Sequence, residues 1–206
     1  MRPRKSEAVL TSARALFLAK GYEATTVDEI ADAARISKAT VYSNFPDKAA
    51  VFTALLDRVA TESGAILAEI LAPLDAPGAV EERLVTAAVA LARGVLRTEV
   101  LQLRRLAIAE AARFPDAVAA YFEQGPNSSL HLLARSFTAL AADDLLVISD
   151  AHDAAAQFAY ATVGPLQDRA LLTAGVPDDA EIVRSATSAA RAFLAAHRIA
   201  VPAHSG

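Results

Sequence analysis

Six residues near the start of this 206-residue chain have the types and spacing to handle a polyanion. Lys38, Ala39 and Thr40 follow one another: a cation, a side chain small enough for close backbone approach, and a hydroxyl next to a methyl. Those groups suit the leading edge of a helix entering a DNA major groove, where donors, acceptors and methyl contacts tell base pairs apart. Tyr42 and Lys48 suit phosphate oxygens. Thr26 stands where a second helix would begin, and the free N–H groups of such an end also favour a phosphate.

These side chains need short, well-capped helices to hold them. Val9, Ala13, Leu16 and Phe17 fall on one helical face, which predicts a first helix over about residues 4–20, stopped by Gly21. Thr26 with Glu29 three places later is a capping-box pattern. It predicts a helix from Val27 to about Ala34, with Val27, Ile30, Ala31 and Ala34 as its apolar stripe. Ser37 is a good N-cap for a third helix over about 38–44, with Val41 and Phe45 turned to the core. Two short helices joined by three or four residues form a helix-turn-helix, whose first helix braces the second against the DNA backbone. Pro46 and Asp47 open a fourth helix. It carries Val51, Leu55, Val59, Ile66 and Ile70, and over 48–71 it spans about 36 Å.

The rest of the chain reads as further helices over 80–97, 99–114, 115–124 (ended by Gly125-Pro126), 127–141, 150–174 and 178–197. Asp178 and Glu181 form a second capping-box pattern at the last of them. Only Leu145–Ile148 suggests a strand, and it is short and alone. The expected fold is all-α: a three-helix helix-turn-helix domain over 1–50 and a larger helical domain over 51–206.

Residues 17–31 (Phe17-Leu18-Ala19-Lys20-Gly21-Tyr22 through Ile30-Ala31) and 34–48 (Ala34-Arg35-Ile36-Ser37-Lys38-Ala39-Thr40-Val41-Tyr42 through Lys48) resemble the DNA-binding domain of the TetR family of transcriptional regulators. The resemblance covers about residues 5–55. It implies DNA contacts at Thr26, Lys38, Thr40, Tyr42 and Lys48, with Ser43 and Asn44 as variable base readers beside Ser37 and Ala39. Arg35 and Ala39 stand where the family often has glycine, and Ser43 and Asn44 replace larger side chains. The stretch 104–115, with Tyr121, Gly125-Pro126 and Gly164-Pro165, resembles the regulatory domain of one subgroup. The implied protein is a ligand-responsive repressor. It pairs with itself through its last two helices and binds a palindromic operator, with an unidentified small-molecule effector and no cofactor.

Charge agrees with that division. Residues 1–50 carry eight Lys and Arg against six Asp and Glu, although the whole chain has a net charge of −4. An acidic body disfavours a nonspecific DNA binder, whose affinity is chiefly phosphate neutralisation. The absence of cysteine excludes disulfides and thiol chemistry. His131, His152, His197 and His204 lack a metal-ligand spacing, and helix capping accounts better for His152-Asp153 beside Asp150. No Gly-x-Ser-x-Gly elbow, phosphate-binding glycine loop or His-Glu-x-x-His supports an enzyme. The opening residues lack an export-signal pattern, and the uncharged run Ala154–Gln167 is shorter than the roughly 18 residues of a membrane span. A cytoplasmic protein is expected. Arg2, Arg4 and Lys5 form either an arm near DNA or a solvated end. Candidate effector-pocket residues are Arg104, Tyr121, Phe122, Gln157 and Tyr160, each with a core or interface role as the alternative.

Overall fold

The computed structural model describes residues 3–173 and 175–198, with the side chains of all of these except 3, 4 and 63–65. Arg2, Ala174, His204 and the tail from Val201 lie outside the described residues, as does the side chain of Arg4. Ten α-helices follow in chain order: α1 (Pro3–Lys20), α2 (Val27–Ala34), α3 (Lys38–Tyr42), α4 (Lys48–Leu71), α5 (Val80–Val95), α6 (Thr98–Glu110), α7 (Pro115–Phe122), α8 (Ser128–Ala142), α9 (Ala151–Thr173) and α10 (Asp179–His197). The described residues contain no strand, so the fold is all-α.

The chain packs as two compact units, one of 1–63 with 102–125 and the other of 64–101 with 126–206. In the first unit, Val9, Ala13 and Phe17 of α1 are buried with Ile30 and Ala31 of α2, Val41 of α3 and Val51, Phe52, Leu55 and Leu56 of α4. Leu103, Leu106 and Ala107 of α6 and Tyr121 of α7 complete this core. The second unit is centred on three phenylalanines, one each from α8, α9 and α10. Phe137, Phe158 and Phe193 lie with ring centroids 4.9–5.4 Å apart. Alanines at 87, 88 and 92 of α5 and 186 and 190 of α10 are buried in the same core, where side chains this small let helices approach closely.

Several boundaries differ from the sequence reading, each for a local reason. α6 ends at Glu110 rather than at 114: residues 111–113 tighten into turns (Arg113 N–H to Glu110 O, 3.0 Å), and Phe114, before Pro115, is pushed out of helical conformation (φ −125°, ψ 57°). Gly125-Pro126 does not end the helical path. One wide π turn over Glu123–Asn127 accommodates the proline, and α8 follows directly. Pro46 lies outside α4, and Asp47 caps that helix by accepting from Ala50 N–H at 2.7 Å. Ile66 is exposed, and the buried stripe of α4 continues through Leu67 and Leu71.

Capping accounts for His152-Asp153 beside Asp150, as expected. Asp150 Oδ1 accepts from the backbone N–H groups of His152 (2.8 Å) and Asp153 (3.0 Å), which start α9 and hold the Asp150 carboxyl below its usual pKa. At the end of α10, Val147 N–H donates to His197 O at 2.8 Å, and His197 Nδ1 lies 3.0 Å from Val147 O. Leu145–Ile148, too short and isolated for a strand, is instead tied to the end of α10 through Val147. Among the described residues no group of three potential ligands is placed to hold a metal, and no helix is long and apolar enough to cross a membrane. The second capping box is half made. Asp178 accepts from Glu181 N–H at 2.7 Å, but the Glu181 carboxylate turns to the Arg169 guanidinium (2.6 and 2.8 Å).

Candidate DNA-binding surface

Helix α1 closes with Gly21 in a left-handed conformation (φ 82°), and its N–H donates to Phe17 O at 2.9 Å. The chain then turns through Tyr22, whose ring is packed among those of Phe17, Phe52 and Phe114 at centroid distances of 4.9–5.5 Å. Burial raises the Tyr22 phenol pKa, with the nearby Arg113 guanidinium acting against it. Arg113 also pairs with Glu23, so the α6–α7 corner is fastened to the α1–α2 turn.

The carbonyls of that turn converge on Lys48, the first residue of α4. Its ammonium donates to Tyr22 O (2.8 Å), Glu23 O (3.2 Å) and Thr25 O (2.8 Å), and lies 4.2 Å from the centre of the Tyr22 ring. An ammonium has three N–H bonds. All three are taken, so in this arrangement Lys48 has no donor left for a phosphate.

Thr26 begins α2 with both arms of the expected capping box. Its Oγ1 accepts from Glu29 N–H (3.2 Å), and its own N–H donates to Glu29 Oε2 (2.8 Å). Lys20 pairs with the same carboxylate, and the Lys20 and Thr26 hydrogen bonds lower the Glu29 pKa to about 2. α2 ends at Arg35 in the left-handed region (φ 55°), where the resembled family often has glycine. The turn is closed by Arg35 N–H to Asp32 O and Ile36 N–H to Ala31 O, both 3.0 Å.

Ser37 then caps α3 as expected, accepting from Thr40 N–H at 3.2 Å, with its Oγ 2.8 Å from Thr40 Oγ1. A helix of five residues cannot satisfy its last carbonyls internally. Ser43 Oγ (2.9 Å) and Asn44 Nδ2 (2.7 Å) both donate to Thr40 O, so the two expected base readers seal the end of α3. Val41 is buried beneath the helix. Ser37, Lys38, Ala39, Tyr42 and Ser43 are exposed, Tyr42 to 44%. Lys38 is paired with Asp28 of α2 at 2.7 Å, an ion pair that raises the Lys38 pKa.

The structure thus brings all nine expected contact residues onto α2, α3, the turns beside them and the start of α4. Sequence reasoning missed the Lys48 brace and the Asp28–Lys38 pair. It also missed the docking of Arg113 and Phe114 on the turn, for which a separation of about ninety residues leaves no local signal. The five expected pocket residues divide between the units: Arg104, Tyr121 and Phe122 in the first, Gln157 and Tyr160 in the second. Tyr121 is buried in the first unit's core, Arg104 is half-buried and Phe122 is exposed. Gln157 and Tyr160 (61% exposed) face outward from α9.

A capped helix, a tight left-handed turn and a second capped helix offering its first residues to solvent define a helix-turn-helix DNA-binding protein. Comparison with known proteins agrees. Residues 9–55 match the family model described as bacterial regulatory proteins, tetR family, and residues 82–199 match that of the AefR-like transcriptional repressor, C-terminal domain. The chain is similar to a solved TetR-family regulator from Mesorhizobium loti, with 31% identity and a TM-score of 0.92 over 97% of this chain and 100% of that one. It is also similar to the flavonoid-responsive regulator FrrA, with 28% identity and a TM-score of 0.74 over 97% of this chain and 100% of that one. The HTH-type transcriptional regulator YvkB of Bacillus subtilis (strain 168), itself uncharacterized, is 42% identical over 67 residues. That stretch is 32% of this chain and 35% of that relative's length. The chain belongs to the TetR family of DNA-binding transcriptional regulators, which are not enzymes.

Proposed function

We propose that the protein is a ligand-responsive repressor that binds a palindromic operator as a homodimer in the cytoplasm. The observation that carries the reading is α3: a helix capped at both ends, seated on Val41, with Lys38, Ala39 and Tyr42 left in solvent. Ala39 and Thr40 approach base edges, while Lys38, Tyr42 and the α2 end at Thr26 take phosphates. Ser37 holds the helix start. Ser43 and Asn44 reach bases by leaving the Thr40 carbonyl. Lys48 acts as the brace beneath.

Pairing through α9 and α10 is carried over from the family resemblance, and Leu172 of α9, 86% exposed, is one apolar side chain a second copy would cover. Pairing would set the two recognition helices about 34–36 Å apart, one turn of DNA. An effector acts by favouring a dimer whose heads are wrongly spaced, a population shift that needs a coupling of about 1–3 kcal/mol. The similarity to a flavonoid-responsive regulator makes a flavonoid a reasonable first effector probe. Effector contact is to be tested in each unit by itself: at Arg104, Tyr121 and Phe122 in the first, and at Gln157 and Tyr160 in the second.

The test is selection of bound sequences from a random duplex library at two salt concentrations. A palindrome with half-sites one turn apart is the expected result. Binding that enriches no motif and only fades with salt would refute it.

A further inference from the structure

Three of the four lysines in the first fifty residues are held by groups of the same unit: Lys20 by Glu29, Lys38 by Asp28 and Lys48 by backbone carbonyls. Lys20 and Lys48 serve the folded turn. Lys38 does not. It is the first residue of α3, its side chain is 55% exposed, and Asp28, 62% exposed, approaches it from the first turn of α2 at 2.7 Å. A phosphate that takes Lys38 must therefore displace a carboxylate, and it leaves that carboxylate unpaired beside the DNA.

We infer that Asp28 is a specificity-determining residue, which keeps Lys38 from random DNA and releases it only when α3 is fully seated on its operator. The inference rests on the reading of α3 as the recognition helix. On random sequence α3 makes few base contacts, so nothing offsets the broken pair and Lys38 stays with Asp28. On the operator the base contacts hold α3 close, and the exchange is driven through. Sequence-independent affinity comes from phosphate neutralisation, so withholding one lysine lowers it directly. An exposed ion pair is worth little in absolute terms, but its strength sets how far random binding is suppressed.

The test uses the full chain and two duplexes: the palindrome recovered by selection, and a scrambled duplex of the same length and composition. Asp28→Asn should tighten binding to the scrambled duplex about two- to fivefold per reading head. It should also steepen that duplex's salt dependence by up to about one unit of slope, while operator affinity rises less. Asp32→Asn is the control, because it removes the same charge from the same helix at an exposed residue that is not paired with Lys38. Equal effects of Asp28→Asn and Asp32→Asn, or equal gains on both duplexes, would overturn the inference. Lys38→Gln separates the two levels of argument. If it weakens operator binding and Asp28→Asn still changes nothing, the specificity role alone fails. If it weakens neither duplex, the assignment of Lys38 to DNA fails and the role of Asp28 fails with it.

Discussion

Replacing Lys48 with methionine keeps much of the side chain's length and removes only the ammonium. The loss can be worked from its contacts. Three hydrogen bonds of 2.8–3.2 Å to backbone carbonyls disappear, together with a cation–π contact at 4.2 Å. A hydrogen bond to a charged group contributes about 1.5–3 kcal/mol when buried, and a cation–π contact at an exposed site about 0.5–1 kcal/mol. Lys48 is half-buried and Glu23 is exposed, so water can replace part of this. A loss of about 2–4 kcal/mol is expected, which lowers Tm by roughly 5–15 °C in a protein of this size. Lys48→Arg should recover only part of it, because a planar guanidinium does not match three converging carbonyls. The assay pairs denaturant unfolding with operator affinity measured across a salt series. If Lys48 is a brace, stability falls and affinity weakens, but the salt slope is kept. A lysine that neutralises a phosphate would behave in the opposite way: little change in stability, and a slope reduced by about 0.9. That second pattern would refute the reasoning.

Other residues give equally direct tests. Arg35→Gly removes a left-handed non-glycine residue and should stabilise the protein by about 0.5–1 kcal/mol in thermal unfolding; a lower Tm would count against strain at the turn. Thr26→Ala should cost about 1 kcal/mol through loss of the α2 cap, read by urea unfolding, and an unchanged midpoint would remove the cap from the account. Glu29 is lowered from 4.5 to about 2 in the folded state, so its contribution is present above pH 4.5 and is lost as pH falls towards 2. Glu29→Gln should therefore flatten the pH dependence of unfolding in that window, and a profile parallel to wild type would contradict the shift. Thr162 Oγ1 is buried in the second unit and has no hydrogen-bond partner among the described residues. Thr162→Val should raise stability by about 1 kcal/mol, whereas a loss would reveal a partner for the hydroxyl.

The helices were legible wherever their signals are local. The stop at Gly21, the cap at Thr26 with Glu29, and the cap at Ser37 depend on residues within four positions of one another, and all stand as read. The apolar stripes of α1 and α2 were legible for the same reason, since 3.6-residue periodicity is written along the chain. What sequence could not supply was the partner of each charged or aromatic group. Nothing near Lys48 in sequence shows that the carbonyls of residues 22, 23 and 25 converge on it. Nor does any local signal show that Phe114 reaches the Tyr22 ring. Asp28 and Lys38 are both plain in the sequence, but their pairing depends on the αL turn at Arg35, which sets α2 beside α3. Ser43 and Asn44 have the chemistry of base readers. Only the folded chain shows the Ser43 hydroxyl and an Asn44 N–H given to the open carbonyl of Thr40. Sequence by itself determined the helices, the turn and the class of surface, because those follow from backbone preference over a few residues. Tertiary structure decided which side chains are free to meet DNA, because a donor satisfied within the protein must give up that partner before it can take another.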